Sequence, residues 1–207
     1  MHPLRGVPYA VAGGLLFVLS SPVAAQNCKP DFSGKDKMTK VEVAEWSQNL
    51  YQTGFLASAL LTSSEINITA AIQRKGDSNL MIIVLSKQEE NVARAVVESP
   101  YRAEKGNEFL FGFKEGGTPL TFVAVDVSNN ISADMFGKLN TRVILTAKIK
   151  DEDLRALKDS LAGKQIDVVR VAVANPIEKS VSDKNGKRLG EKLGCFLSFA
   201  EQKGFVK

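Results

Sequence analysis

Histidine is almost missing from this sequence: the only one among 207 residues is His2. It falls inside an N-terminal stretch laid out like a secretory signal. "MHPLRGVPY" carries one fixed positive charge, Arg5, and "VAGGLLFVLSS" is an apolar run of about eleven residues. Pro22 follows, with Val23 and Ala25 at the two positions a signal peptidase reads. Cleavage after Ala25 leaves a chain of residues 26–207 without any imidazole. Such a chain cannot run a Ser-His-Asp or Cys-His mechanism, because both need imidazole as the base. Histidine-ligated zinc and the usual iron sites are excluded on the same ground, so no metal is expected.

Other absences narrow the field further. The phosphate-loop pattern G-x-x-x-x-G-K-[ST], the dinucleotide pattern G-x-G-x-x-G and the Ser-Lys pattern S-x-x-K do not occur. No cofactor is therefore expected. Beyond the leader no apolar run approaches the roughly 20 residues a membrane helix needs, so no span is expected in the mature chain. Charge of either sign is also in short excess. Without Arg5 the chain holds 26 basic and 23 acidic residues, a net of +3 that is spread out. Nucleic acid is not an expected partner.

Cysteine is nearly as scarce, with Cys28 and Cys195 the only two. A lipid-anchored cysteine wants a small residue directly before it, and Gln26 and Asn27 are not small. A redox-active pair would want C-x-x-C spacing. In an exported chain two distant thiols most simply form one structural disulfide. Cys28–Cys195 would close a loop of about 168 residues, worth roughly 5 kcal/mol at most by the chain-entropy estimate. It would tether a polar tail, residues 26–40, to a single globular domain of residues 41–207.

What is present reads mainly as β-structure. Val41, Val43 and Glu45 favour a strand over 40–52, although Trp46, Leu50 and Phe55 could instead form one side of a helix. Residues 65–74 and 79–87 are β-rich runs around the turn "KGDSN". Phe109, Phe111 and Phe113 fall on one face at period two, and after "KEGGTP" a return strand spans about 119–127. Consecutive hairpins argue for an antiparallel sheet. "SADMFGKL" suggests a short helical turn capped by Ser132. Val143, Leu145, Ala147 and Ile149 mark the buried side of a strand over 140–149. Leu154, Leu157 and Leu161 recur at helical spacing after the acids Asp151, Glu152 and Asp153, and Gly163 stands where a C-terminal cap belongs. "QIDVVRVAVA" is a further strand, and the strand–helix–strand order permits a right-handed crossover between parallel strands, while the short loops also allow antiparallel placement. Asn185–Gly186 signals a turn over 183–186. Leu189, Leu193, Phe196, Leu197 and Ala200 then follow helical spacing, in a helix carrying Cys195 onto the core. The expected fold class is α+β: mainly antiparallel sheet or sandwich built from consecutive hairpins, with a strand–helix–strand unit and a C-terminal helix.

Candidate sites are few, and each has a plain structural reading beside it. Asp126 continues the face of Leu120, Phe122 and Ala124, where a partly buried carboxylate could act as an acid. The favoured reading has it entering the turn "DVSNN" and accepting backbone hydrogen bonds. Arg170 interrupts the face of Ile166, Val168 and Ala172, and a buried Asp126–Arg170 pair would be structural. Trp46 and Tyr51 could stack on a sugar, although a lone tryptophan ordinarily anchors a core. "DKNGKRLGE" fails as a calcium loop, its glycine fourth and its Glu191 ninth. Lys184, Lys187, Arg188 and Lys192 form a small basic cluster of the kind that lines a solvated helix. Asn67 and Asn130 each begin an N-x-[ST] triplet. Two functions remain: an exported binding or accessory protein of the periplasm or exterior, with a protein, small-molecule or glycan ligand, or a hydrolase of glycosidase type working through carboxylates alone.

Overall fold

The computed structural model describes residues 28–53, 65–89, 102–133, 139–161 and 164–203. The leader expected over residues 1–25, the body of the turn expected after Ser132, and the cap expected at Gly163 lie outside these residues. Among the described residues, ten strands and two helices follow in chain order. Strands β1 (Phe32–Lys35), β2 (Glu42–Gln52), β3 (Glu65–Lys75) and β4 (Ser78–Glu89) come first. Then come β5 (Glu108–Phe113), β6 (Leu120–Val123), β7 (Asp126–Ala133) and β8 (Leu139–Ile149). Helix α1 (Asp153–Leu161), β9 (Ile166–Val171), β10 (Ile177–Ser180) and α2 (Asp183–Gln202) complete the chain. The class is α+β with antiparallel sheets throughout, as the hairpin pattern implied.

The strands form two sheets, one ordered β1-β2-β3-β4-β8-β7 and the other β10-β9-β5-β6. In the larger sheet Ile68, Ala70 and Ile72 pair with Ile83-centred β4, which in turn pairs with Val143, Leu145 and Ala147. These alternate residues are all essentially shut off from water. The smaller sheet turns Phe109, Phe111 and Phe113 inward, and Phe109 stacks on Phe122 with ring centres 5.4 Å apart. Helix α2 supplies Leu189, Leu193, Phe196, Leu197 and Ala200 to the same continuous core. Each large apolar side chain so buried contributes about 1.5–3 kcal/mol relative to exposure.

The β3–β4 hairpin closes through Gly76 and Asp77, with Lys75 opposite Ser78. Gly76 takes φ +57°, a conformation glycine adopts without the Cβ clash of other residues. The strands therefore run longer, and the turn tighter, than the five-residue turn expected from "KGDSN".

Four expectations need correction. The return strand expected over 119–127 stops at Val123, because Ala124 and Val125 carry the chain from one sheet to the other. Ala124 N–H still donates to Asn107 O, while Val125 N–H donates to Thr146 O on β8, both at 2.8 Å. Alternation of side chains continues through this step, which hid it. Ser132 lies in β7 opposite Asn140, a strand position rather than a helix start. The strand–helix–strand unit is not a crossover within one sheet, since β8 and β9 belong to different sheets. Asn185 and Gly186 are not a hairpin turn but the first turn of α2.

That helix starts at Ser182, whose side chain accepts from Asn185 N–H at 3.3 Å. Gly186 is required there for space. A Cβ on it would stand 1.8 Å from the carbonyl oxygen of Ile166. Asp183 receives Lys114 Nζ and Gln165 Nε2, at 3.1 and 2.8 Å from Oδ1, and the hydrogen bond from Lys114 is the largest cause holding its carboxyl below the usual carboxylate range. The Asn185 amide donates to Leu50 O of β2 at 3.4 Å. The helix start thus ties the two sheets together.

At its other end α2 carries Cys195, joined to Cys28 with the Cα atoms 5.0 Å apart. Just beyond Cys28, Asp31 accepts from Ser47 N–H at 2.7 Å and from Lys192 Nζ at 2.6 Å. Lys192 also donates to Ser47 O. Partial burial raises the Asp31 carboxyl, but these hydrogen bonds and the Lys192 charge outweigh it and leave it below the ordinary value. The polar tail is therefore not a loose cover: β1 is a strand of the larger sheet, with Phe32 opposite Glu45 and Lys35 opposite Glu42.

Candidate functional site

Trp46 is a core residue. It is 2% exposed and meets Phe196 and Phe199 edge-on at 5.7 and 5.4 Å, so its ring is closed to any external ligand. Its indole N–H has no hydrogen-bond partner among the described residues. A bulge at Leu50 breaks the β2–β3 register, leaving both Leu50 and Tyr51 on the inner face. Tyr51 packs half-buried against the core, with Lys179 Nζ 5.5 Å from its ring centre. The two aromatic residues thus make no stacking platform.

Asp126 and Arg170 do not meet. Asp126 opens β7 in the larger sheet opposite Thr146, with its side chain 74% exposed and Lys105 Nζ 3.8 Å away. Arg170 lies in the smaller sheet between Leu110 and Glu178, exposed to solvent. The expected face was broken by the step at Ala124 and Val125, which delivers Asp126 to the outer surface of the other sheet.

A buried charge does occur elsewhere. Arg74 is 6% exposed at the end of the β3–β4 hairpin. Its Nε donates to Gly76 O at 2.6 Å and its Nη1 to Asn79 Oδ1 at 2.8 Å. Asn79 Nδ2 donates to Asp151 Oδ1 at 2.7 Å, and Arg74 Nη1 is 3.4 Å from that same oxygen. These hydrogen bonds commit the guanidinium to closing the hairpin, as buried charge requires. The cluster is structural. Among the described residues no group of three or more His, Cys, Asp or Glu is placed to hold a metal ion, and no helix is long and apolar enough to cross a membrane.

Three clefts can be described. One of about 510 Å³ lies beside β1 and the end of α2, lined by Glu42, Arg74, Phe199 and Lys203 among others. A second, about 480 Å³, separates β6 from α1 and is mainly apolar, with Asp153 at its rim. The third, about 410 Å³, is lined by Asn67, Ser86, Lys87, Gln88, Asn130, Ser132, Asn140, Thr141 and Arg142. Among the described residues, none of the three is lined by two carboxylates.

The third cleft is built by strand register. On the outer face of the larger sheet Asn67 stands opposite Ser86, Ser86 opposite Arg142, and Arg142 opposite Asn130. A second row, two residues along each strand, places Gln88 opposite Asn140 and Asn140 opposite Ser132. At about 4.8 Å between strands and 3.4 Å per residue, the grid measures roughly 14 by 7 Å. Nearer the middle of the same face the polar grid gives way to Val84, Ile144 and Ile82, all half-buried. The chain alone marks Asn67, Ser86, Asn140 and Arg142 as outward positions. It does not reveal that they are neighbours, because β4 and β8 meet across more than fifty residues of chain.

No family model, no curated protein and no solved structure matches the chain.

Proposed function

We propose that this chain acts after export, in the periplasm or the exterior, as a binding or accessory protein without catalytic chemistry of its own. The observation that carries this reading over a carboxylate hydrolase is the distribution of acids. A glycosidase-type pair needs two carboxyl groups about 5–9.5 Å apart around one sugar bond. Among the described residues, each cleft is lined by at most one carboxylate. Asp126, the leading acid by sequence, is exposed beside Lys105 rather than set in a pocket. The Cys28–Cys195 disulfide agrees with an oxidising compartment.

The test is retention of native envelope components on the immobilised mature chain, run beside a glycan panel and an assay for released sugars. The expected outcome is saturable retention of a protein or glycan with no product. Turnover that disappears in Asp126→Asn would overturn the reading in favour of the hydrolase.

A further inference from the structure

We infer that the cleft between β6 and α1 takes up an extended, acid-bearing segment of another protein, which adds to β6 as a further strand; this rests on the binding reading above and names the partner's chemistry. Among the described residues β6 is an end strand of the smaller sheet. The cleft beside it measures about 480 Å³ and is mainly apolar.

Two hydrogen bonds fix which way the main chain of β6 points. Ala124 N–H donates to Asn107 O, and Ala172 N–H donates to Glu108 O, both at 2.8 Å. Main-chain groups alternate sides along a strand. Leu120 and Phe122 therefore bond towards β5, while Thr121 and Val123 turn both N–H and C=O to the far side. Val125 is next in that series, and its N–H reaches Thr146 O of β8 at 2.8 Å. Pairing of β7 with β8 ends at Thr146, so Lys148 presents its main-chain groups to the same side beyond the end of β7. The cleft opens past this contact, with Thr121 and Val123 on one side and Lys148, Ile149 and α1 on the other. A margin of this kind accepts an extended chain through main-chain hydrogen bonds, at about 4.8 Å from its neighbour.

The walls set the partner's composition. Leu120, Phe122, Ile149, Ala156 and Leu157 line the cleft, so alternate side chains of the incoming segment should be apolar. Val123 and Val125, 50% and 45% exposed at this margin, would gain cross-strand cover from the others. Two charged side chains stand among the lining residues, Lys148 and Asp153. Asp153 acts on Lys150, whose ammonium it helps to hold above its ordinary value after the larger effect of Glu152. Asp126, diagonal to Lys148 across the β7–β8 pair, has Lys105 Nζ at 3.8 Å. Lys148 is exposed and makes no ion pair among the described residues. It is the charge left for a ligand, and a carboxylate on the incoming segment is its complement.

The probe is a synthetic peptide of alternating valine and threonine, blocked at both ends, with glutamate in place of one threonine. It is titrated into the mature, disulfide-bonded chain and followed by calorimetry and amide hydrogen exchange. Binding should saturate and slow exchange at Thr121 and Val123, but not along β1 at the end of the other sheet. Methylating the peptide's main-chain nitrogens should weaken it by roughly tenfold or more. Thr121→Pro removes an outward N–H without touching the bonds to β5, and should weaken the peptide similarly while the melting temperature holds. The methylated probe asks the same question of the unaltered chain. Lys148→Glu should weaken the glutamate peptide by about two- to fivefold and favour a version with lysine in its place. Absence of saturable binding, protection elsewhere than β6, undiminished affinity of the methylated peptide, or no reversal of charge preference would overturn the inference and leave the broader reading standing. Chromatographic detection of cleaved peptide would overturn the binding reading itself.

Discussion

Helix α2 contains three glycines at four-residue spacing, Gly186, Gly190 and Gly194, and alanine is expected to act on them with opposite signs. In a helix interior, glycine to alanine gains about 0.8–1 kcal/mol of propensity. At Gly190 and Gly194 an added Cβ meets nothing within 4 Å, so that gain should appear nearly whole. At Gly186 the same methyl lands 1.8 Å from Ile166 O and 3.0 Å from its carbonyl carbon. Both are backbone atoms of β9, so relief requires the helix and the strand to part by more than an ångström. That movement would strain the Asp183–Gln165 and Asn185–Leu50 hydrogen bonds, which hold the helix start to both sheets. Overpacking of this kind costs about 1–3 kcal/mol, and here the contact is at the severe end. The net loss for Gly186→Ala is then about 1–2 kcal/mol. For a chain of this length each kcal/mol moves the melting temperature by about 2–4 °C. Calorimetric or circular-dichroism melts should show Gly194→Ala rising by about 2–4 °C and Gly186→Ala falling by about 2–8 °C. If Gly186→Ala melts as high as Gly194→Ala, the helix is not pressed against β9 and the account of how the sheets are joined is wrong.

Other expectations concern the termini, acid and the tryptophan. Replacing both cysteines by serine should lower stability by up to about 5 kcal/mol, read as a fall in the urea midpoint that reductant reproduces in the native chain. Asp183 and Asp31 both have folded carboxyls below their unfolded value. Their contribution is therefore present above about pH 4 and is lost as pH falls through the lower folded value. Asp183→Asn should flatten the acid limb of a stability–pH profile without altering its neutral region's shape. Trp46→Ala should cost about 3–5 kcal/mol, whereas Trp46→Phe should cost clearly less, since it also removes an unpartnered indole N–H. Equal losses in the two variants, measured by urea unfolding, would count against the buried, unpaired indole.

Much of the architecture was legible where the signal is local. Alternation at period two marks β3, β4, β5 and β8, and the leucine spacing marks α1, because each pattern needs only its own dozen residues. The exceptions have physical causes. "IEKS" forms β10 only because Ile177–Ser180 pairs with Val168–Val171, and four residues carry too little pattern to announce that. Asn185–Gly186 has a hairpin's composition, but Ser182 caps a helix there and Gly186 answers to a neighbouring backbone rather than to a turn. The Ala124–Val125 step keeps the alternation while exchanging sheets, so residue parity alone misplaces Asp126. The polar cleft was out of reach for a related reason: residue parity gives the outward face, whereas adjacency comes from pairing between distant strands.

The cystine has a consequence beyond crosslinking. β1 is four residues long, fully exposed and shields the outer margin of β2, a strand of eleven. Without the sulfur bond, that short ribbon is held by its pairing with β2, by the Lys35–Glu42 ion pair and by Asp31 with its two partners, all at an exposed edge. Peeling it away would bare a long row of main-chain donors and acceptors, an invitation for a second molecule to zip on in its stead. Reduction at this corner is therefore expected to favour strand addition at the β2 margin, readable as self-association in size-exclusion chromatography.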